Sequence, residues 1–282
     1  MAAIARADTR SWTEPLRTAA VYAGLIALAI FTAFPLLWLL SVALRPGGRV
    51  FGFPPPLPWP LGMDNFVGVW RTMPIPRFFL NTLIITGVGV GLNLLLCALA
   101  AYPLARLRFP GRNLIFFVLL STLMLPSHVG LIVNFVTMTR LHLIDTYPAV
   151  ILPSAVSVFG IFLLRQQYLS VPQELEDAAR IDGASELGLW WRVMVPLIAP
   201  GLATLAIFEF VAFWNSFLWP LIVLKSPDKY PLAVGLLYLS GLFAHNTRLI
   251  AAGAVMMTVP ILVVFLFTQR YFMRGITLGA IR

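Results

Sequence analysis

Lysine is almost missing from this sequence of 282 residues: only Lys225 and Lys229 occur, and neither follows a glycine. A P-loop needs the series Gly-Lys-Ser/Thr, because its backbone amides and its lysine together hold the phosphates. The chain therefore has no P-loop. It also lacks G-x-S-x-G, H-E-x-x-H and any pair of carboxylates within one apolar run, so no hydrolase or glycosyltransferase arrangement is present.

Cysteine and histidine are equally scarce. The single cysteine, Cys97, lies inside an apolar run, so a disulfide framework is excluded. The three histidines, His128, His142 and His245, have no cysteine or carboxylate at ligand spacing. We therefore predict no metal site and no redox-active pair.

Acidic residues are also few, with 11 against 20 basic ones and a formal net charge of +9. A basic balance can indicate nucleic-acid binding, but such proteins collect their Lys and Arg on one face or helix. Here the basic residues are scattered in ones to threes at the ends of apolar runs, which is typical of membrane-interface anchors. We expect a lipid bilayer as a partner, and no nucleic acid.

Hydrophobic residues make up 60% of the chain, and several uncharged runs reach the roughly 20 residues that cross a bilayer. A soluble helical bundle would need shorter apolar stretches with polar faces. We predict an all-α polytopic membrane protein with a polar lead-in at 1–17 and a membrane domain at 18–282. The predicted spans are about 21–44, 78–104, 114–138, 148–164, 201–224 and 249–269.

The connecting segments carry further expectations. A modest excess of Lys and Arg, including Arg106, Arg108 and Arg112, places both termini in the cytoplasm. The proline-rich run at 54–60 favours an extended connector on the outer face. The alternating glycines Gly87, Gly89 and Gly91 resemble a close-packing helix surface, and only Gly87 and Gly91 have the strict small-xxx-small spacing.

Five of the 11 acidic residues fall between Pro172 and Pro196, in a polar stretch between two apolar runs. Its pattern predicts a helix, a glycine break and a second short helix. Ser170 and Gln173 have capping-box spacing, Gly183 is suited to a left-handed terminus, and Ser185 can begin the second helix. A charged, rigid helix between two spans is suited to docking into another protein.

The same stretch resembles the EAA loop of permease subunits of ATP-binding-cassette (ABC) importers, whose pattern is E-A-A, three residues, G, nine residues, I-x-L-P. Here Asp177-Ala178-Ala179, Gly183 and Val193-Met194-Val195-Pro196 keep every spacing. Asp177 replaces the glutamate, and the two valines replace isoleucine and leucine. The longer series AARIDGAS resembles the maltose-type, carbohydrate-uptake branch of the family.

The resemblance implies a type I importer permease fold with a cytoplasmic coupling loop at 165–198. It implies that ATP and Mg bind to a separate ABC ATPase dimer, and that this chain binds no cofactor and is not an enzyme. The other implied partners are a second homologous permease subunit and an extracytoplasmic solute-binding protein, in the inner membrane of a prokaryote. The residues implied to contact the ATPase are Glu174, Glu176, Asp177, Ala178, Ala179, Arg180, Asp182, Gly183, Ala184 and Pro196.

The C-terminal series from Arg274 to Ala280 resembles the tail of the same branch. This resemblance implies that Gly275, Thr277 and Gly279 contact the ATPase dimer. A frayed terminus without a partner is the alternative.

Candidate residues for a solute path are the polar and aromatic residues within predicted spans. Glu209 is the only acidic one, and such groups usually have a function in membranes. Trp214 and Asn215 combine an aromatic plane with an amide, which suits a sugar. Asn81 and Asn134 complete the set, although all of these residues can instead join helices or line the interface.

Two alternatives stay open at this point. The same architecture can import glycerol-3-phosphate or a related polyol instead of sugars. A stand-alone secondary transporter is a different class, although no internal duplication supports it. The sequence favours the permease subunit of a sugar importer.

Overall fold

The structure is a computed structural model that describes residues 13–47, 61–242 and 246–280. The proline-rich run at 54–60, His245 and most of the 1–17 lead-in lie outside the described residues. Within these ranges every regular element is helical. The helices are α1 (Thr13–Ala43), α2 (Asp64–Thr72), α3 (Ile75–Arg106), α4 (Arg112–Ser121), α5 (Leu131–Arg140), α6 (Tyr147–Ile151), α7 (Val158–Ser170), α8 (Gln173–Ile181), α9 (Glu186–Leu189), α10 (Val195–Leu197), α11 (Ala199–Trp214), α12 (Leu218–Val223), α13 (Leu232–Leu242) and α14 (Thr247–Ala280).

Short turns of other helix types connect these elements. A π-helical turn joins α9 to α10. The 3₁₀ turns are Thr122–Met124, Ser127–Gly130, Leu152–Ser154 and Pro227–Lys229.

Three described helical segments are long and apolar enough to cross a membrane: Arg17–Ala43, Ile75–Arg106 and Thr247–Val264. Two further segments pass the same test only as bent pairs: α6 with α7 at 49°, and the α9–α10 segment with α11 at 76°. The second pair includes α9 and α10, which the sequence assigned to the loop before the predicted span at 201–224. The segment predicted as the third span contains the shorter apolar helices Arg112–Met124 and Leu131–Arg140. The prediction of an all-α polytopic membrane protein is confirmed, and these segments are consistent with six crossings.

The helix breaks follow from local chemistry. Leu125 is extended (φ −80°, ψ 136°) because the following Pro126 disfavours the helical conformation before it. Pro153 lies in the turn between α6 and α7, and Ser157 is extended before α7 begins. The apolar run predicted at 201–224 is helical in α11 and α12 with an irregular break between them.

The outer surface of α1 is strongly apolar. Phe31 is 77% exposed, and Leu25, Ile30 and Leu37 are also exposed. A soluble protein rarely shows an apolar surface of this extent. The distribution therefore agrees with a helix surrounded by lipid.

The buried side chains form three clusters along the molecule. The first joins α3, α7 and α11 near the α8–α9 loop and includes Tyr168 and Trp190. The second joins α1, α2 and α14 around Trp214. The third lies toward the opposite end, where α3 meets α6 and α12.

Close helix contact in α3 occurs at Gly89 and not at Gly87 or Gly91. A Cβ added at Gly89 would lie 2.5 Å from the ring of Phe213. At Gly87 or Gly91 it would meet no described atom within 4 Å. The predicted close-packing surface therefore meets α11 at Gly89, whereas Gly87 and Gly91 make no close contact with the described residues.

The end of the molecule opposite the α8–α9 loop is held together by Asp145. This residue has a left-handed backbone (φ 63°), and its carboxylate accepts hydrogen bonds from the backbone N–H groups of Lys225 and Ser226. Oδ2 also accepts from Ser226 Oγ at 2.5 Å and from Lys229 Nζ at 2.8 Å. The turn before α6 is thereby joined to the loop after α12.

Candidate functional site: the α8–α9 loop and a cavity between broken helices

The loop between α7 and α11 begins with an abrupt change of direction at Pro172 (φ −58°, ψ 138°). The predicted capping box is wrong: Ser170 is still part of α7, and its hydroxyl donates to the Gln167 carbonyl. Pro172 has no side-chain cap, so the first turn of α8 relies on Glu174 and Glu176 near the positive end of the helix dipole.

The end of α8 is a Schellman motif built on Gly183. The N–H of Gly183 donates to the Arg180 carbonyl, and the N–H of Ala184 donates to the Ala179 carbonyl, both at 3.0 Å. Gly183 has φ 83°, as the sequence predicted, and a Cβ there would meet no described atom within 4 Å. Backbone conformation, and not space, therefore requires glycine at this position.

The second helix begins where the sequence predicted. The hydroxyl of Ser185 accepts a hydrogen bond from Gly188 N at 3.2 Å and caps α9. The π-helical turn Trp190–Met194 follows, and Pro196 lies in the short α10. The chain then bends at Ile198 into α11, so the loop leads directly into a membrane helix.

A buried ion pair fixes α8 to the end of α3. The Nε of Arg106 lies 2.7 Å from Oε1 of Glu176, and the two side chains are 11% and 3% exposed. These atoms are not aligned for a hydrogen bond, so the contact is electrostatic. A second nitrogen of Arg106 donates to the Val171 carbonyl just before α8. Arg106 of α3 thus contacts the loop at two points, Val171 just before α8 and Glu176 within α8.

Arg180 and Glu186 connect α8 to α9. Arg180 Nε donates to Glu186 Oε1 at 2.9 Å, and Arg180 also pairs with Glu176 at 3.5 Å. The hydrogen bond from Arg180 holds the pKa of Glu186 below its usual range, and the same bond raises the pKa of Arg180. Tyr102 of α3 donates to Glu186 Oε2 at 3.4 Å. Both halves of the loop therefore contact α3.

Trp190 holds the end of the loop inside the first core cluster. Its Nε1 donates to the hydroxyl of Tyr168 at 2.9 Å, and that hydroxyl donates to the Ala98 carbonyl at 3.3 Å. Tyr168 and Tyr102 pack edge to face with ring centres 5.5 Å apart. This chain of contacts joins the loop to α7 and α3.

The predicted ATPase-contact residues divide into two sides. Glu176 is buried, and Ala179 and Ala184 pack partly against the core. The exposed members are Glu174, Asp177, Ala178, Arg180, Asp182, Gly183 and Pro196. Three apolar residues that the sequence analysis did not select share this surface: Ile181, Leu187 and Trp191 are 86%, 69% and 58% exposed. A groove of about 900 Å³ runs beside Ala179 and the Asp182–Ser185 turn.

A second candidate feature is a cavity of about 360 Å³ that lies where the two helix breaks meet. Its lining includes Ser154 and Ser157 from the α6–α7 break, and Glu209, Phe213 and Ser216 from the α11–α12 region. Glu209 is only 8% exposed, and its Oε1 accepts a hydrogen bond from Ser157 Oγ at 2.7 Å. The cavity is thus partly polar at a position within predicted membrane spans.

The other predicted path residues lie elsewhere. Trp214 is 1% exposed in the second core cluster, and its Nε1 donates to the Met257 carbonyl. The amide of Asn215 donates to the Val211 carbonyl within its own helix. Asn81 donates to two carbonyls of the loop after α12, and Asn134 is half-buried on α5. Of the five residues, the structure places Glu209 on the cavity.

The predicted tail residues Gly275, Thr277 and Gly279 belong to α14, which continues from Thr247 to Ala280 without a break. Within the described ranges, no group of three His, Cys, Asp or Glu side chains is placed to hold a metal ion.

Comparison with known proteins identifies the family. The family model described as binding-protein-dependent transport system inner membrane component matches residues 93–277. This chain belongs to that family. The match covers the α8–α9 loop and the cavity, so the ABC importer resemblance predicted from the spacing of Asp177 to Pro196 is confirmed. The chain is a membrane transport permease subunit.

Individual relatives match over nearly the whole chain. The arabinooligosaccharides transport system permease protein AraQ of Halalkalibacterium halodurans is 38% identical over 274 residues, covering 96% of this chain and 98% of that protein. The diacetylchitobiose uptake system permease protein NgcG of Streptomyces coelicolor is 32% identical, covering 93% and 88%. A chain in the crystal structure of a bacterial ABC transporter involved in the import of the acidic polysaccharide alginate has a TM-score of 0.81 and 26% identity, covering 93% of this chain and 98% of that one.

Arg106, Tyr102 and the exposed apolar residues of the loop were not selected from the sequence. Arg106 was used there only as a topology signal. Its pairing with Glu176 joins two helices far apart in the chain, and no local pattern indicates such a contact. Ile181 and Leu187 carried a usable signal, because large apolar residues in a charged, solvent-facing stretch are informative.

Proposed function

We propose that this chain is one of the two membrane halves of an ATP-driven, binding-protein-dependent sugar importer in the inner membrane of a prokaryote. Its termini and the α8–α9 loop lie in the cytoplasm. A second homologous permease subunit forms the other half, an ABC ATPase dimer binds ATP and Mg, and an extracytoplasmic protein delivers the solute. The named relatives transport arabinooligosaccharides and diacetylchitobiose, which supports a sugar as the solute.

The observation that carries the coupling role is the buried contact between Arg106 and Glu176. A loop that transmits force must move together with the spans that it drives. Here Arg106, Tyr102 and Tyr168 join the loop to α3 and α7 through ionic and hydrogen-bond contacts. A movement of α8 is therefore passed to the membrane helices as a rigid-body displacement.

The exposed side of the loop supplies the contact with the ATPase. Ile181, Leu187 and Trp191 are large, apolar and exposed. The exposed charged residues of α8 are Glu174, Asp177 and Arg180. Apolar residues with a polar rim are typical of protein interfaces. ATP-driven closure of the ATPase dimer would displace these residues and expose the path alternately to the two sides of the membrane.

The length of α14 supports the proposed contact of Gly275, Thr277 and Gly279 with the ATPase. A helix rises about 1.5 Å per residue, so the 34 residues of α14 extend for about 51 Å. The hydrocarbon core of a bilayer is about 30 Å thick. The uncharged run of α14 ends at Gln269, so we expect its last turns, from Arg270 onward, to project beyond the lipid.

The proposal is tested by reconstituting this chain with its second permease subunit, ABC ATPase and solute-binding protein. We expect ATP hydrolysis to increase when the liganded binding protein is added, and labelled solute to accumulate in the vesicles. Solute transport by the purified chain alone would contradict the proposal.

A pair of variants tests the docking surface. Ile181→Asp places a charge in the exposed apolar surface of the loop, whereas Leu141→Asp places one on an exposed residue of the opposite end. We expect about 10-fold less ATPase to co-purify with Ile181→Asp and an unchanged amount with Leu141→Asp. Equal recovery from both variants would exclude Ile181 from the interface.

A further inference from the structure

The cavity beside Glu209 has a charge pattern that bears on the kind of solute it can accept. Interrupted membrane helices with freed polar groups are typical of solute sites in transporters. Here the α6–α7 break and the α11–α12 break lie on the same cavity. The inference rests on the proposed function, because it requires that the transport path pass this cavity.

An anion would ordinarily be favoured at this place, because the N-terminus of a helix carries partial positive charge. In this chain the carboxylate of Glu209 already interacts with the N-terminus of α7. The hydroxyl of Ser157 accepts a hydrogen bond from Gly160 N at 3.1 Å and donates one to Glu209 Oε1 at 2.7 Å. The Ser157 hydroxyl therefore links the Glu209 carboxylate to the N-terminus of α7, so this end of the helix is not free to bind a second anion.

The rest of the lining offers no charge for an anion. None of the lining residues is basic, and the polar groups that remain are the hydroxyls of Ser154 and Ser216. Phe213 adds an aromatic surface. A carboxyl group that accepts, hydroxyls that donate or accept, and an aromatic ring suit the hydroxyl groups and C–H faces of a sugar.

We propose that the cavity formed by Ser154, Ser157, Glu209, Phe213 and Ser216 is a solute-contact site that admits uncharged sugar units and discriminates against anionic ones. Uronates and phosphorylated polyols such as glycerol-3-phosphate would meet a carboxylate without a compensating cation. The structural relative imports an acidic polysaccharide, so the shared fold does not determine the charge of the solute.

The charge of the cavity is measured without any solute by thiol labelling. Ser216→Cys places a thiol on the lining in a background with Cys97→Ala, since Cys97 is the only native cysteine. The assembled complex is treated with methanethiosulfonates of equal size that carry either a trimethylammonium or a sulfonate group. The ratio of the cationic to the anionic rate is divided by the same ratio for a free thiol in solution, because a thiolate itself favours the cationic reagent. We expect this normalised ratio to be about 10, which corresponds to about 1.4 kcal/mol.

Two variants separate the carboxylate from its surroundings. Glu209→Gln keeps the shape of the side chain, and we expect it to reduce the normalised rate ratio of the two reagents to about unity. Ser154→Ala changes the same lining without removing the carboxylate, and the ratio should persist. A ratio that is unchanged by Glu209→Gln would overturn the proposal.

Solute protection tests the second half of the inference. Arabinotriose, added to the complex without the binding protein, should slow labelling of the thiol that Ser216→Cys introduces. Trigalacturonate and glycerol-3-phosphate should not. Equal protection by the anions, or protection by none of the three, would contradict the assignment.

Stimulation of ATP hydrolysis by the liganded binding protein is measured in the same preparation. If ATP hydrolysis is not stimulated but the thiol labelling follows the expected charge preference, the proposed function is contradicted and this inference is not. Normal stimulation with a failed labelling pattern would contradict this inference alone.

Discussion

Arg106 and Glu176 form a buried ion pair between α3 and α8, with Nε and Oε1 separated by 2.7 Å. Burying both charges has a desolvation cost, so such a pair adds little net stability. Its value here is geometric, because it sets the position of the loop relative to the longest described span before the ATPase is bound. Removing either partner leaves the other charge buried and uncompensated.

Glu176→Ala should therefore destabilise the protein strongly, by about 3–5 kcal/mol for one broken buried pair. Asp177→Ala is the matched control, because Asp177 is adjacent, acidic and 56% exposed at its side chain. Thermal unfolding in detergent measures both. The double replacement Arg106→Leu with Glu176→Leu should recover most of the loss, and equal destabilisation by Glu176→Ala and Asp177→Ala would contradict the role of the pair.

Gly183→Val should uncouple ATP hydrolysis from uptake while the complex stays assembled. A β-branched residue at φ 83° costs about 1–2 kcal/mol or more, which the local turn has to absorb by changing its course. Gly183→Asn is the control, since asparagine tolerates the left-handed region. Uptake and ATPase co-purification are measured for both variants. Normal uptake by Gly183→Val would show that the turn does not matter.

Gly89→Ala should reduce stability by about 1–3 kcal/mol, because its Cβ would overlap the ring of Phe213. Gly87→Ala lies on the same helix, and its Cβ would meet no described atom. The melting temperature of the purified chain should therefore fall for Gly89→Ala only. Equal melting temperatures for Gly89→Ala and Gly87→Ala would show that α3 and α11 do not pack at Gly89.

Asp145→Asn should lower the melting temperature, because the amide cannot accept all the hydrogen bonds that the carboxylate accepts. Lys229 and Ser226 hold the pKa of Asp145 below its usual range. A lowered carboxyl pKa contributes stability that is fully present above the ordinary pKa of about 3.9. It is lost as the pH falls through the lower pKa of the folded state.

The difference in melting temperature between the wild type and Asp145→Asn should accordingly stay constant between about pH 5 and pH 8 and narrow only in stronger acid. Asparagine tolerates the left-handed backbone at this position, so the comparison tests the carboxylate and its hydrogen bonds without a backbone effect. A difference that disappears near neutral pH would exclude the ionised carboxylate as the cause.

Local devices in the coupling loop could be predicted from the sequence, and contacts between distant segments could not. Gly183 and Ser185 act through neighbouring backbone groups, so their residue types were sufficient. Ser170 is also a typical N-cap residue, but it is the last residue of α7 and therefore does not have the backbone conformation of an N-cap for α8. The membrane helices could also be predicted, because uncharged runs of about 20 residues are rarely found outside membrane spans.

The positions that depend on helix rotation could not be predicted. Trp214 and Glu209 lie on the same helix, yet one packs in the core and the other lines a cavity. Only the neighbouring helices decide which of these sides faces the path. For the same reason Gly89, and not the pair with the familiar spacing, meets α11.

Two helix breaks lie beside Glu209, one between α6 and α7 and one between α11 and α12. Each break divides its predicted span into two shorter helices. The helices α6 and α12 adjoin the end that Asp145 holds, whereas α7 and α11 continue toward the coupling loop. Under the proposed coupling, a displacement of α9 would therefore tilt α7 and α11 about these breaks and leave α6 and α12 in place. The proposed coupling would then open and close the path at the depth of the two breaks, and not across the full thickness of the lipid.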